Sequence, residues 1–74
     1  MNLIELGKEL KKMYENAPSG DAVCMIHLFG VRYARQINQA DCTAKDIAEQ
    51  AGIPMSYETE IRKGIKLSKY VSEK

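Results

Sequence analysis

Gly52 divides the stretch from Thr43 to Gly64 into two short segments, and the pattern around this glycine constrains the fold more than any other feature. Thr43 is a good N-cap, and Asp46 follows it at the spacing of a capping box. The apolar residues that come next share one helical face: Ile47, Ala48 and Ala51. Gly52 then stands where a C-cap is expected, so the first segment is predicted to be a helix that ends in a tight turn.

The second segment begins after Ile53 and Pro54, which fill the turn. Ser56 can cap a new helix. One face of that helix is predicted to carry the apolar residues Tyr57, Ile61 and Ile65. Two short helices that cross closely at a glycine turn have the geometry of a helix-turn-helix, whose second helix can enter a DNA major groove.

The rest of the chain adds two predicted helices and no strand. The predicted fold is therefore all-α, a small four-helix single domain over residues 1–74 with a helix-turn-helix at residues 43–64. The first helix carries an apolar stripe formed by Leu3, Leu6, Leu10 and Met13 or Tyr14. Pro18 and Gly20 then predict a loop over residues 16–20.

The second helix is predicted from about Ala22 to Asn38, with its start at Ser19 or Asp21. Apolar residues, Phe29 among them, cover most sides of this segment, which predicts a central helix packed by neighbours on several faces. Gly30 lies inside it and indicates either close helix packing or a local break.

The charge balance and the few cysteines limit the available chemistry. The net charge is only +1, a smaller basic excess than DNA-binding domains usually carry. Two cysteines and one histidine are too few for a disulfide framework or a zinc set, so no metal or cofactor is expected. Cys24 is interpreted as a small core residue and His27 as a partly buried packing residue, while nothing near Cys42 marks a nucleophile. The sequence contains no apolar leader or membrane span, and the expected compartment is a reducing cytoplasm.

The segment GIPMSYETEIRKG, from Gly52 to Gly64, resembles the turn and recognition helix of phage-repressor-type (lambda-repressor-like) helix-turn-helix domains. These domains carry a turn glycine, a Ser- or Thr-rich helix start, a buried aliphatic residue and a closing glycine after a basic residue. The matching positions are Gly52, Ser56, Ile61, Lys63 and Gly64. Upstream, KDIAEQAGI is similar to the first motif helix of the family. The resemblance extends from the middle of the second helix to Gly64, and it implies a small bacterial or phage protein that binds DNA.

Two features differ from the pattern of that family. Glu58 stands where the family usually buries an aliphatic residue, which leaves this packing to Tyr57. The chain also has an additional helix at its N-terminus in place of the helices that follow the motif. Lys66 to Val71 is interpreted as a short extended tail or a wing remnant.

The solvent-facing side of the second motif helix is the candidate DNA-binding surface. Its predicted contact residues are Ser56, Thr59, Arg62, Lys63, Lys66 and Lys69, next to Met55. Hydroxyls can bond phosphates or base edges, Arg62 can hold a guanine bidentately, and lysines suit phosphates. Residues 62–69 contain four basic groups and no acid, a bias that fits the dipole of a helix end equally well. Glu58 and Glu60 would repel phosphates, unless one of them accepts a hydrogen bond from a cytosine amino group.

Other polar groups give no catalytic pattern. Arg32 and Arg35 can pair with acids of the first helix such as Glu5 or Glu9, or contact a DNA backbone. No carboxylate pair faces a predicted cleft and no phosphate loop or dinucleotide fingerprint is present, so the chain is not expected to be an enzyme.

Two functions fit these residues. One is a DNA-binding helix-turn-helix protein that recognises double-stranded DNA as a small transcriptional regulator or a DNA-targeting accessory. The other is a protein–protein interaction module on the same scaffold, favoured by the near-neutral charge. A third, less favoured interpretation is a small oligomeric structural domain of a restriction, phage or toxin–antitoxin system. A homodimer is predicted because helix-turn-helix proteins usually pair half-sites. Its predicted interface is the stripe of the first helix with Leu3, Ile4, Leu6 and Leu10.

Overall fold

The computed structural model describes all residues from Met1 to Lys74 and contains four α-helices and one short 3₁₀ turn. In chain order these are α1 (Leu3–Glu15), α2 (Ala22–Ala40), α3 (Ala44–Ala51), the 3₁₀ turn (Met55–Tyr57) and α4 (Glu58–Leu67). No residue lies in a strand, which confirms the predicted all-α, four-helix fold. None of the helices has the length and apolar character needed to cross a membrane.

Helix α1 begins with a capping box that the sequence analysis did not identify. The Glu5 backbone N–H donates to Asn2 Oδ1 over 2.9 Å, and the Asn2 N–H donates to Glu5 Oε1 over 3.0 Å. Leu6 and Leu10 are fully buried against α2 and α3, as the apolar stripe predicts. Their burial removes Leu6 and Leu10 from the predicted dimer interface, of which Ile4 stays exposed.

Helix α2 packs on α1 and α4 along one side. Ile26, Phe29 and Ile37 point into the core. At the start of the helix, however, Val23 and Cys24 are exposed. The prediction that neighbours cover most sides of α2 is therefore wrong at this end, and so is the interpretation of Cys24 as a core residue. With four short helices, no further element is left to cover this side.

Two glycines set the distance between α2 and α4. A Cβ atom on Gly30 would lie 2.7 Å from the Gly64 Cα atom and 2.6 Å from the Ile65 nitrogen, so a side chain cannot fit there. Helix α2 continues without interruption through Gly30. Of the two alternatives predicted for this glycine, close helix packing is confirmed.

The turn between α3 and α4 begins as predicted. Thr43 and Asp46 form a capping box, with both hydrogen bonds present at 3.0 and 3.1 Å. Gly52 ends α3 in the left-handed conformation, with φ at 74°. The apolar residues predicted for the inner face of α3 are buried: Ile47, Ala48 and Ala51.

The start of α4 differs from the prediction. Pro54 leads into the 3₁₀ turn, the Tyr57 N–H donates to the Pro54 carbonyl over 3.1 Å, and α4 begins only at Glu58. Ser56 lies inside the turn and caps no helix. Tyr57, the last residue of the 3₁₀ turn, contacts α1: its ring lies 5.6 Å from the Tyr14 ring, centroid to centroid.

The segment after α4 is not extended. Successive turn hydrogen bonds continue the chain direction of α4, including Tyr70 N–H to Leu67 C=O at 2.9 Å and Val71 N–H to Leu67 C=O at 3.1 Å. The predicted extended tail or wing over residues 66–71 is therefore wrong. The basic run instead continues from α4 into a hydrogen-bonded turn that contains Lys69.

Candidate nucleic-acid interface

One exposed surface carries all the residues predicted to contact DNA. Ile61 and Gly64 anchor the opposite side of α4 in the core, which turns the hydrophilic side outward. The exposed residues of this surface, here called the α4 face, are Ser56, Thr59, Arg62, Lys63, Lys66 and Lys69. Met55 borders the α4 face with 41% of its surface exposed.

Positive charge on the α4 face is strongest at its C-terminal end. Arg62 lies 3.4 Å from a Glu58 carboxylate oxygen, and Lys63 lies 3.4 Å from one of Glu60. Lys66 and Lys69 make no ion pair. The two glutamates thus offset the basic groups nearest to them and leave the last turn of the surface positive.

Glu60 is directed toward α2 and not only toward solvent. Its Oε1 atom lies 2.7 Å from His27 Nε2, and 22% of its side chain is exposed. The His27 hydrogen bond, helped by Lys63, holds the pKa of the Glu60 carboxyl below its usual value. His27 is partly buried, as predicted, but its hydrogen bond to Glu60 was not foreseen. The pairing turns one carboxylate oxygen of Glu60 toward α2, while the other lies 3.4 Å from Lys63.

Tyr57, not Glu58, packs against the core at the start of α4. Its ring contacts Tyr14 and lies against the core, while 22% of the Glu58 side chain remains exposed. Glu58 therefore keeps its carboxylate at the edge of the α4 face, within reach of Arg62.

Tyr70 was missed as a candidate contact residue. It is 77% exposed and lines a shallow depression together with Lys63, Lys66 and Leu67. An aromatic ring among lysines can contribute stacking or a hydroxyl hydrogen bond to a nucleic acid. The sequence signal was present, because Tyr70 directly follows Lys69 in the basic run.

Arg32 pairs with the C-terminal segment and not with α1, where Glu5 or Glu9 had been predicted. Its Nε atom donates to Glu73 Oε1 over 2.7 Å, and a terminal nitrogen contacts the other carboxylate oxygen. The guanidinium holds the pKa of the Glu73 carboxyl below its usual value. Arg35 makes no ion pair.

No group of three or more His, Cys, Asp or Glu side chains is placed to hold a metal ion. Cys42 packs against the core, and its burial, with Asp46 and Asp41 nearby, raises the pKa of its thiol. A raised pKa lowers the fraction of thiolate, the nucleophilic form of cysteine, at neutral pH.

Comparison with known families gives one match. Residues 2–74 match a family model described as an HTH-like domain, so the match covers almost the whole chain. No curated protein and no solved structure matches the chain.

Proposed function

This chain belongs to the HTH-like domain family, and on that premise we propose that it binds double-stranded DNA through the α4 face. The observation that carries the proposal is the joint exposure of six hydroxyl and basic side chains on one helix and its flanking turns. Ile61 and Gly64, on the opposite side of α4, are buried. The solvent-facing side of α4 is therefore polar.

The dimensions of α4 suit a major groove. Ten helical residues span about 15 Å, and the groove of B-DNA is about 12 Å wide and admits an α-helix. In this arrangement Arg62 reads a base edge, preferably the two acceptors of guanine. Lys66 and Lys69 contact phosphates at the end of the helix, and Tyr70 extends that contact.

We propose a role as a small transcriptional regulator or DNA-targeting accessory in the cytoplasm. The left-handed Gly52 and the buried Ile61 and Gly64 support the relation to phage-repressor-type domains, since these positions carry the resemblance. Nothing in the fold offers an enclosed site with convergent catalytic groups, which favours binding over catalysis.

We further propose that the protein works as a homodimer, because near-neutral charge gives one copy little non-specific affinity. The molecule measures 32 × 27 × 19 Å, so two copies side by side can place their α4 helices about 34–36 Å apart, one turn of DNA. The apolar groove between α2 and the C-terminal segment, with Cys24, Leu28, Leu67 and Val71 among its lining residues, is a better pairing surface than α1.

A protein-interaction module is the alternative function. The exposed Met55, Leu67 and Tyr70 beside the α4 face favour it, because large apolar side chains are enriched at protein interfaces. In that case the surface from Met55 to Lys66 contacts a protein partner.

Binding of a random duplex to the purified protein at several salt concentrations tests the proposal. We expect measurable binding at low salt, with log K falling linearly with log salt by about 0.9 for each phosphate neutralised. A triple variant, Arg62→Ala, Lys66→Ala and Lys69→Ala, should lose most of this binding. The matched control removes three exposed lysines of α1 through Lys8→Ala, Lys11→Ala and Lys12→Ala, with the same change in net charge.

Equal loss of binding in both triple variants would show that only net charge matters and that the α4 face is not the DNA-binding surface. If the parent protein fails to bind at low salt, the interaction module becomes the better proposal.

A further inference from the structure

A polar groove lies between α2 and the end of α4, outside the α4 face. It encloses about 370 Å³ and is lined by Val31, Arg32, Ala34, Arg35, Gln36 and Ser68. Neither the helix-turn-helix geometry nor the packing of the core requires two arginines at this place. The groove therefore needs a separate explanation.

The lining of the groove is positively charged. Arg32 and Arg35 are three residues apart on α2, so their side chains are neighbours on the helix surface. No acidic residue lines the groove itself. Arg35 has no carboxylate partner, and the Ser68 hydroxyl at the rim donates to the Ile65 carbonyl over 2.5 Å.

One polar atom of the lining has no partner. Gln36 Oε1 is buried and makes no hydrogen bond within the protein. The oxygen and nitrogen of an amide can exchange places by rotation, and the NH₂ group is a donor. Only after such a rotation can the Gln36 amide donate to an anionic ligand beside the two guanidinium groups, because the oxygen itself is an acceptor.

The C-terminal segment shows how an anion is held here. The Glu73 carboxylate engages Arg32 through two nitrogens in a fork arrangement. About a third of each side chain is exposed, 36% for Arg32 and 35% for Glu73, so solvent screens the pair. A more highly charged anion that also reaches Arg35 can compete with this single carboxylate for Arg32, because solvent screens the pair.

We propose that this groove binds a phosphate group through Arg32 and Arg35, and that Glu73 competes with the phosphate for Arg32. Arginine favours phosphate because its planar donors bind two oxygens at once. Two guanidinium groups also match the charge of phosphate better than that of a single carboxylate. The phosphate can come from a DNA backbone, in which case the inference rests on the proposed function, or it can be a free phosphate.

Titration with inorganic phosphate at constant ionic strength tests the groove directly, with the arginine Nε–H signals followed by nuclear magnetic resonance. We expect the Arg32 and Arg35 signals to shift. Glu73→Gln should tighten phosphate binding roughly two- to fivefold, the factor expected for loss of a surface ion pair. Arg35→Ala should weaken it, whereas Lys45→Ala, which removes an exposed positive charge on α3, should not.

Duplex binding by the same variants distinguishes the two sources of phosphate. If Glu73→Gln strengthens and Arg35→Ala weakens binding of a random duplex as well, the ligand is a DNA backbone phosphate. If only the inorganic phosphate titration responds, the ligand is a free phosphate. The proposal is overturned if Glu73→Gln and Arg35→Ala both titrate like Lys45→Ala. Failure of DNA binding with an intact phosphate response would contradict the proposed function alone.

Discussion

His27 Nε2 and Glu60 Oε1 lie 2.7 Å apart across the contact between α2 and α4. The two residues are 33 positions apart in the chain, so the hydrogen bond joins the longest helix to the first turn of the helix that carries the α4 face. Glu60 thereby joins α2 to the α4 face, since its second carboxylate oxygen lies 3.4 Å from Lys63.

This hydrogen bond predicts an acid dependence of stability. Because the pKa of Glu60 in the folded protein is below its ordinary value of 4.5, folding favours the charged carboxylate. The stabilising contribution is therefore complete above the unfolded pKa and is lost as pH falls through the folded pKa. Glu60→Gln should lower the free energy of unfolding at neutral pH, and the difference from the parent should shrink below about pH 4.5.

Urea denaturation at several pH values measures this difference. Glu49→Gln, at an exposed position of α3 without an ion pair, is the matched control. A difference between parent and Glu60→Gln that stays constant from neutral to acid pH would show that the His27 hydrogen bond does not favour the charged form.

Gly64→Ala tests the close contact of α2 and α4. A Cβ at this position would collide with the His27 carbonyl oxygen and lie 3.0 Å from the Gly30 Cα atom, and both obstacles are backbone. We expect the free energy of unfolding to fall by about 1–3 kcal/mol, although alanine is the better helix former by about 1 kcal/mol.

Gly7→Ala is the control for Gly64→Ala, because it too adds a methyl group at a buried helical glycine. Its obstacles are Gln50 Cγ at 2.5 Å and Gln50 Cβ at 3.0 Å, with the Ala51 backbone nitrogen at 3.3 Å, so an exposed side chain and not the backbone has to make most of the shift. Denaturation should show a smaller loss than for Gly64→Ala, or a gain. Equal losses would mean that the glycine contact of α2 and α4 has no special role.

Phe29→Ala tests the core. The ring is fully buried and lies 5.2 Å from the ring of Tyr33, centroid to centroid. Removing it should cost about 3–5 kcal/mol, a large part of the stability of a domain this small. Val23→Ala, at an exposed position of the same helix, should cost far less in the same thermal or urea unfolding measurement. Similar midpoints for the two variants would contradict the burial of Phe29.

The parts of the fold that were predicted correctly depend on local sequence. The capping box of Thr43 and the left-handed Gly52 involve residues within a few positions of one another, so their spacing alone identifies them. The start of α4 was misplaced because a 3₁₀ turn follows Pro54, whereas the spacing of Ser56 suggested a cap; the Tyr57–Tyr14 contact, between distant parts of the chain, was not predictable either. Cys24 was misassigned for a similar reason, since its apolar neighbours do not show whether another helix covers them.

In the candidate site, too, local sequence predicted the features that depend on neighbouring residues and missed those that join distant parts of the chain. Helical periodicity around Ile61 was sufficient to identify which side chains of α4 face solvent. The ion pair of Arg32 with Glu73 spans 41 positions, and no periodicity or spacing indicates it. The sequence therefore predicted which side chains of α4 are exposed, but not distant pairs such as Arg32 with Glu73 or His27 with Glu60.

Arg62→Ala should weaken binding to a preferred site by about 1–3 kcal/mol and relax the preference at one base pair. The reason is that a guanidinium reads a guanine through two hydrogen bonds, which no other base offers in the same geometry. The measurement is selection of preferred sites from a random duplex pool, followed by titration of single base changes. An unchanged preference at every position would exclude Arg62 as a base-reading residue.

Lys66→Ala should behave differently, because an exposed lysine without an ion pair is suited to a phosphate. We expect preferred and random duplexes to be weakened alike and the slope of log K against log salt to become shallower by about one unit. Titration of both duplexes at four or more salt concentrations measures this slope. A loss confined to the preferred duplex would assign Lys66 to base recognition instead.

Glu58→Gln should strengthen binding to every duplex. The Glu58 carboxylate lies at the edge of the α4 face, 3.4 Å from Arg62, where it would repel the phosphates of a DNA bound to this face. Its neutral analogue removes the repulsion and frees the guanidinium, so affinity for random DNA should rise roughly two- to fivefold at low salt. Glu15→Gln, an exposed change of the same charge at the end of α1, should have little effect. If both variants gain equally, the increase reflects net charge; if only Glu58→Gln gains, the carboxylate faces the DNA.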